Sequence, residues 1–235
     1  MTRSTLEVDL GAVHENARRL IEAAGGSRLW AVVKADGYAH GAVECAGTAV
    51  SAGAERVCCA TLEEARELRE ALAARAPIVV LSPLEPGEEA QAGGFEIVVS
   101  SLEDYARLRA AGVPCGVHVK ADTGMGRWGM VPGDALAVSR ELAAANGPLR
   151  LVGVMSHLAT ADDDPAFAEH RTGSRAGSAR LPSWPGAAGT AGTRAPGRRR
   201  RRSAARRRPD RRRRWRDGTS RPPAGAGRLP RPARG

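Results

Sequence analysis

Short apolar runs recur along the first two-thirds of the chain, and helical patterns fill the gaps between them. Each run has four or five residues and is mostly continuous, which is typical of strands buried on both faces of a parallel sheet. We therefore predict six strands, at Leu29–Val33, Val57–Ala60, Ile78–Leu81, Phe95–Val99, Gly116–Val119 and Leu151–Met155.

Helix-start signals lie between these runs. Thr61–Glu64 has the sequence of a capping box and precedes leucines at helical spacing, and Ser101–Asp104 repeats the pattern, with Gly112 placed to end that helix. Residues 12–24 and 134–145 predict two further helices. We expect the first segment, Thr5–Leu10, to be a separate strand.

The alternation of strand and helix is typical of βα units. Eight such units close a barrel of typically about 250 residues. Six strands therefore predict an α/β fold that is a partial (β/α)8 TIM-type barrel, open because its last two units are missing.

The periodicity stops near residue 170, where the composition changes. Residues 171–235 contain 21 arginines and two acids, so their formal charge is +19. Because the whole chain carries +10, residues 1–170 carry −9. We expect residues 1–170 to form the incomplete barrel domain and residues 171–235 to be a disordered Arg/Pro/Gly-rich tail.

Two interpretations of the tail stay open. Its arginine clusters suit a nucleic-acid-binding arm, which would release counterions from phosphates. The alternative is out-of-frame sequence from a GC-rich gene, because the tail begins inside an unfinished barrel and residues 1–170 contain 13 arginines but two lysines. We expect the second.

The remaining composition indicates a cytoplasmic protein. Cys45, Cys58, Cys59 and Cys115 have no CxxC spacing, so we expect reduced thiols and no metal site. The first residues lack the apolar core of a signal peptide, and no apolar run reaches the roughly 18 residues of a membrane span.

A lysine stands where the first buried strand ends, in the segment Ala31–Gly41, which reads AVVKADGYAHG. In parallel barrels the carboxyl ends of the strands form the active-site rim. Lys34 is therefore either an ion-paired structural residue or a functional amine, and pyridoxal phosphate is the commonest partner of such an amine. Tyr38 is equally compatible with packing and with contact to a phosphate.

Two further segments place polar residues after later strands. Val117–Gly129 reads VHVKADTGMGRWG, in which Lys120 ends a strand and a glycine-rich loop holds Arg127, a side chain suited to a carboxylate or phenolate oxygen. Gly153–Asp162 reads GVMSHLATAD and places His157 after the sixth strand. Alone, such a histidine is more often structural than catalytic.

Together the three segments resemble the motifs of alanine racemases, over about residues 5–162. The usual form of the first motif in this family is AVVKA(D/N)AYGHG. Here Gly37 replaces the usual alanine and Ala39 the usual glycine, which are small changes. The resemblance implies that Lys34 condenses with the aldehyde of pyridoxal phosphate and acts as a base, and that Tyr38 contacts the phosphate. It also implies a homodimer that supplies D-alanine for peptidoglycan.

The other roles follow from the same resemblance. Arg127 would contact the cofactor's phenolic oxygen and the substrate carboxylate, with the Met125 N–H assisting at the carboxylate. Lys120 matches a lysine that is carbamylated in many members and positions that arginine. His157 would pack on the pyridine ring.

Parts of the family's machinery have no match in this sequence. The second base of the family is a tyrosine from a partner subunit's C-terminal domain, whereas the tyrosines here are Tyr38 and Tyr105, and Tyr105 is predicted on a packing face. We therefore expect weak cofactor binding and little racemase activity from this chain. A racemase for another amino acid, such as serine, and a nucleic-acid-associated protein remain the alternatives.

Overall fold

The computed structural model describes residues 6–159 and residue 164. Within them the chain forms six strands, each within two residues of a predicted run. They are β1 (Trp30–Val32), β2 (Arg56–Cys59), β3 (Ile78–Val80), β4 (Glu96–Val99), β5 (Cys115–Lys120) and β6 (Leu149–Met155). The six predicted strands are confirmed.

The helices alternate with these strands. They are α1 (Leu10–Ala23), the short turn α2 (Lys34–Ala39), α3 (Ala42–Ser51), α4 (Leu62–Leu72), α5 (Leu102–Ala111) and α6 (Pro132–Ala144), with a 3-10 turn at Glu89–Gln91. The predicted capping box is present on α4, and Gly112 ends α5 in the left-handed conformation. The four predicted helices are confirmed, and the two predicted with bounds, residues 12–24 and 134–145, differ from the structure by one or two residues at each end.

The expected strand at Thr5–Leu10 is wrong. Residues 6–9 belong to no strand, and Leu10 already begins α1. The Asp9 backbone is extended and its carboxylate accepts a hydrogen bond from the Ala12 N–H at 3.0 Å, which is the geometry of a helix N-cap. Thr5 lies outside the described residues.

The strands pair in chain order, β1 to β6, and every pairing is parallel. Each strand is therefore hydrogen-bonded to the next one along the chain, which is the topology of successive units of a (β/α)8 barrel. This confirms the predicted α/β partial barrel. The predicted tail, residues 171–235, lies outside the described residues.

The two faces of the sheet carry different side chains. Alternate residues such as Val57, Val80 and Val117 face the helices and join the large apolar core. The opposite face holds a smaller apolar cluster built on Cys58, Val79 and Val98. Burial on both faces explains why the strands appear in the sequence as continuous apolar runs.

A buried polar layer lies beside this smaller cluster. The Glu96 carboxylate accepts hydrogen bonds from Arg56 Nε at 2.8 Å and from His118 Nε2 at 2.7 Å. The Trp30 ring contacts both donors: the Arg56 guanidinium lies 4.9 Å from its centroid, and the His118 ring centroid lies 5.1 Å from it. Burial alone would raise the pKa of Glu96, but the hydrogen bonds from His118 and Arg56 outweigh it and the pKa is lowered.

The carboxyl ends of the parallel strands meet at one edge. Lys34 follows β1, Lys120 is the last residue of β5, and His157 lies two residues beyond β6. The sequence-predicted site residues therefore share this edge. In the described part of the chain, no helix combines the length and apolar character needed to cross a bilayer.

Candidate active site

The segment after β1 forms a left-handed helical turn, α2. Its φ angles from Ala35 to Ala39 lie between 51° and 65°, and Gly37 is the one glycine among these residues. The left-handed conformation costs a non-glycine residue about 1–2 kcal/mol relative to the right-handed one. Such strain persists where surrounding contacts hold it, and it is most frequent at functional sites.

Hydrogen bonds hold both ends of α2. The Gly37 N–H donates to the Val33 carbonyl at 2.7 Å, and the Gly41 N–H donates to the Asp36 carbonyl at 2.9 Å. The Asp36 side chain then accepts from the Ala42 N–H at 2.9 Å, which begins α3. The turn is therefore fixed between the end of β1 and the next helix.

Lys34 is the first residue of this turn and is half-buried at the strand edge. Its Nζ atom lies 5.9 Å from the centroid of the Tyr38 ring, so the amine and the tyrosine predicted to serve one cofactor are neighbours. Tyr38 is 57% exposed. Its hydroxyl is thus accessible to a ligand at this edge.

The loop after β5 is organised by one carboxylate. Asp122 accepts hydrogen bonds from the backbone N–H groups of Gly124, Met125 and Gly126, at 2.8–3.2 Å. These backbone donors lower the pKa of Asp122, so the carboxylate stays ionised and holds the loop that carries Arg127.

Two backbone hydrogen bonds close the base of the same loop. Asp122 N–H donates to the Met130 carbonyl at 2.8 Å, and Met130 N–H donates to the Lys120 carbonyl at 2.9 Å. Gly129, with φ +148°, passes so close that a Cβ there would lie 2.7 Å from the Asp122 nitrogen. A side chain is therefore excluded at this position.

The Met125 N–H, expected to bind the substrate carboxylate, already has a partner within the protein. It donates to Asp122 Oδ1 at 2.9 Å. Binding a substrate carboxylate through this N–H requires that hydrogen bond to be exchanged, so the role assigned to Met125 stays a prediction.

Four cationic or basic side chains influence one another at this edge. Burial lowers the pKa of Lys120, and the positive charges of Arg127 and Lys34 lower it further against an opposing effect of Asp122. Burial also lowers the pKa of His157, with further contributions from Arg127, Lys120 and Lys34. Lys120 is 9% exposed, whereas Arg127 and His157 are exposed. The edge therefore concentrates positive charge.

This arrangement fits an anionic ligand. Pyridoxal phosphate carries a phosphate and a phenolic oxygen, and its substrates carry a carboxylate, so each partner of the reaction brings negative charge. Lys34 supplies an amine, Tyr38 a hydroxyl and Arg127 a guanidinium. The donor set of the described residues is thus compatible with this cofactor.

Other residues at the site have no assigned role in the sequence analysis. Thr123 Oγ1 and Ser156 Oγ lie 2.7 Å apart and join the loops after β5 and β6, which carry Arg127 and His157. Asp122 and Glu64 bind backbone N–H groups of the site loops. The capping-box sequence predicts the contact of Glu64 with the start of α4. Its hydrogen bond with the Ala35 N–H depends on tertiary structure and has no sequence signal.

Comparison with known proteins identifies the family of the barrel domain. The family described as "Alanine racemase, N-terminal domain" matches residues 8–194. A curated alanine racemase from Streptomyces coelicolor is 42% identical over 173 residues, which cover 68% of this chain and 44% of the relative.

Solved structures give the same result. The alanine racemase from E. faecalis has a TM-score of 0.65 and 33% identity, covering 71% of this chain and 47% of its own. A histidine racemase from Leuconostoc mesenteroides has a TM-score of 0.62 and 27% identity, covering 69% of this chain and 46% of its own.

The fold and the matched region define a racemase-type barrel domain. The chain belongs to the alanine racemase family, through its N-terminal domain. It spans less than half the length of the curated relatives that it matches.

Proposed function

We propose that this chain carries the cofactor-binding barrel of an amino-acid racemase that uses pyridoxal phosphate and interconverts L- and D-alanine. The observation that carries the proposal is the lysine at the end of β1, which the left-handed turn presents beside Tyr38 and near the basic side chains Lys120, Arg127 and His157. Family membership supports the substrate.

Lys34 is the residue that binds the aldehyde and moves a proton at the substrate Cα. When bound, pyridoxal phosphate delocalises the electrons left behind as that proton leaves. Arg127 would pair with the substrate carboxylate and the phenolic oxygen, and Tyr38 would hold the phosphate. The lowered pKa of His157 favours the neutral ring, which would support the pyridine of the cofactor.

Lys120 positions Arg127 from beneath. Burial and the neighbouring charges of Arg127 and Lys34 lower the pKa of Lys120 and so raise the fraction of its neutral amine, the form that adds to CO2 to give a carbamate. The reaction joins the amine nitrogen to the carbon of CO2, and the nitrogen releases one proton. The resulting anion would offset the positive charge of Arg127 and hold its guanidinium in place.

Proton return on the opposite face of Cα requires a second group. Tyr105, the tyrosine not assigned to the phosphate, is buried on α5 within the described residues. Because this sequence has two tyrosines, Tyr38 and Tyr105, we propose that the second base is not one of its own residues. The chain assayed alone should show little racemisation.

Another amino acid is a second candidate substrate. The histidine racemase shares this fold with a TM-score of 0.62, so the barrel also serves a larger side chain in that protein. Serine is a smaller alternative. A measurement of which amino acid, among alanine, serine and histidine, perturbs the absorbance of the lysine-bound cofactor separates these substrates.

The cellular role follows from the substrate. We propose that the protein supplies D-alanine for peptidoglycan, acts in the cytoplasm and assembles as a homodimer. The four cysteines are buried and unpaired, which is typical of a reducing compartment and supports this location.

The composition makes the test of cofactor attachment specific. Lys34 and Lys120 are the two lysines of the chain. Borohydride reduction after incubation with pyridoxal phosphate, followed by peptide mapping, should place the pyridoxyl group on Lys34. A group found on Lys120 instead, or on neither lysine, contradicts the proposal.

A further inference from the structure

The carboxylate of Glu64 bridges two strand ends at the candidate active site. Glu64 is the third residue of α4, and its Oε2 atom accepts from the N–H groups of Ala60 at 2.6 Å and Thr61 at 3.3 Å. Its Oε1 atom accepts from the Ala35 N–H at 2.7 Å. Each oxygen of the carboxylate therefore serves a different segment.

The Ala35 N–H belongs to the peptide that directly follows Lys34. Lys34 and Ala35 begin α2, whose left-handed backbone needs external contacts to persist. β1 and β2 are adjacent, with Val33 N–H donating to the Cys58 carbonyl at 2.8 Å. Glu64 therefore joins the segments that follow β1 and β2, beyond the last backbone hydrogen bond between the two strands.

We propose that Glu64 is a positioning residue for Lys34. Its carboxylate fixes the first peptide of α2 and so sets where the Lys34 amine meets the cofactor aldehyde. The role extends beyond the capping of α4, because the capping box uses Oε2 and the Lys34 segment uses Oε1. The consequence for the cofactor rests on the proposed function, whereas the hydrogen bond to Ala35 does not.

The chain offers matched variants that separate the two roles of Glu64. Glu64→Gln leaves one acceptor oxygen, which cannot serve both Ala35 and Ala60 as the carboxylate does. Thr61→Ala removes the other half of the capping box, the bond from Glu64 N–H to Thr61 Oγ1 at 3.3 Å, and leaves the bond to Ala35. Glu63→Gln changes the same charge at an exposed position in the same turn.

Two measurements on the full chain test the proposal. The first is backbone hydrogen exchange over residues 34–39 without cofactor. The second is the pyridoxal phosphate concentration that gives half-maximal borohydride labelling of Lys34. For Glu64→Gln we expect exchange at Ala35 to be faster and the half-maximal concentration higher, each by about tenfold, the factor for loss of one hydrogen bond to a charged group.

The controls define the expected contrast. Thr61→Ala should lower the melting temperature about as much as Glu64→Gln but leave exchange and labelling unchanged, and Glu63→Gln should change none of the three. If Glu64→Gln and Thr61→Ala are alike in both readouts, Glu64 only caps α4 and the inference is overturned. Glu64→Asp, which keeps the charge but shortens the reach, replaces Glu64→Gln if that variant does not fold.

Failure of the proposed function gives a different result. If the wild-type chain is never labelled on Lys34, the function is wrong, and the exchange measurement still decides whether Glu64 holds α2. If the wild type is labelled and Glu64→Gln is labelled equally, the function stands and the positioning role is wrong.

Discussion

At the scale of single residues, Arg56 and His118 both donate a hydrogen bond to the buried Glu96 carboxylate. Removing Glu96 leaves the buried His118 ring without its acceptor and Arg56 with Glu55 as its remaining carboxylate partner, which is a large penalty. The sequence could not predict this group, because the pairing depends on strand register. The parallel register of β4 and β5 pairs Glu96 with Gly116 and Val98 with His118.

The first prediction concerns this carboxylate. We expect Glu96→Ala to lower the free energy of unfolding by about 3–5 kcal/mol, since Arg56 and His118 lose their acceptor. Denaturant unfolding measures the change. Glu103→Ala is the matched control, because Glu103 is exposed and should change stability by no more than about 1 kcal/mol. Equal effects of the two substitutions would contradict the role of the buried layer.

The pH dependence follows from the lowered pKa of Glu96. A carboxyl group with a lower pKa when folded adds stability that is complete above the unfolded pKa of about 4.3. That stability is lost as the pH falls through the folded pKa. We expect the stability difference between wild type and Glu96→Gln to be constant near neutral pH and to shrink below about pH 4. A difference that grows on acidification would reverse the sign and refute the argument.

Elements of secondary structure were predictable where their signals are local. The strands appear as continuous apolar runs, and α4 and α5 begin at capping residues, so sequence alone places them. The turn α2 was not predicted, because four of its left-handed residues are not glycine and contacts with other elements hold it. The positions of Lys34, Lys120 and His157 at successive strand ends were predictable. The lowered pKa values of Lys120 and His157 were not, because they depend on burial and on charges brought close by the fold.

The loop between β5 and α6 provides a prediction at this scale. Gly129→Ala places a Cβ 2.7 Å from the Asp122 nitrogen and should destabilise the chain by about 1–3 kcal/mol, as strained backbone positions do. Gly133→Ala is the control, since a Cβ there meets nothing within 4 Å in the first turn of α6. It should stay within about 1 kcal/mol of wild type. Thermal unfolding of both variants measures the two changes in stability. A Gly129→Ala variant as stable as wild type would contradict the close approach of Gly129 to Asp122.

At the scale of the whole molecule the charge is divided unevenly: residues 1–170 carry −9 and residues 171–235 carry +19. The composition of the barrel and the identity of its family were accessible from sequence, because three motifs follow successive strands in order. The predicted boundary at residue 170 stays a prediction, because it falls outside the described residues.

Resequencing the gene around codon 170 tests the interpretation of the tail. We expect a one-base shift to restore strand-rich sequence. If the original frame is confirmed, the nucleic-acid interpretation gains weight. In that case the tail without residues 1–170 should be retained on heparin in a strongly salt-dependent way.

The central claim is that the Lys34 amine at the end of β1 binds the aldehyde of pyridoxal phosphate. Titration of the full chain with the cofactor, followed by absorbance spectroscopy, tests it most directly. We predict that the wild type develops the yellow absorbance of a lysine-bound cofactor and that Lys34→Ala does not. A wild type that never turns yellow, or a Lys34→Ala variant with an unchanged spectrum, would contradict the account.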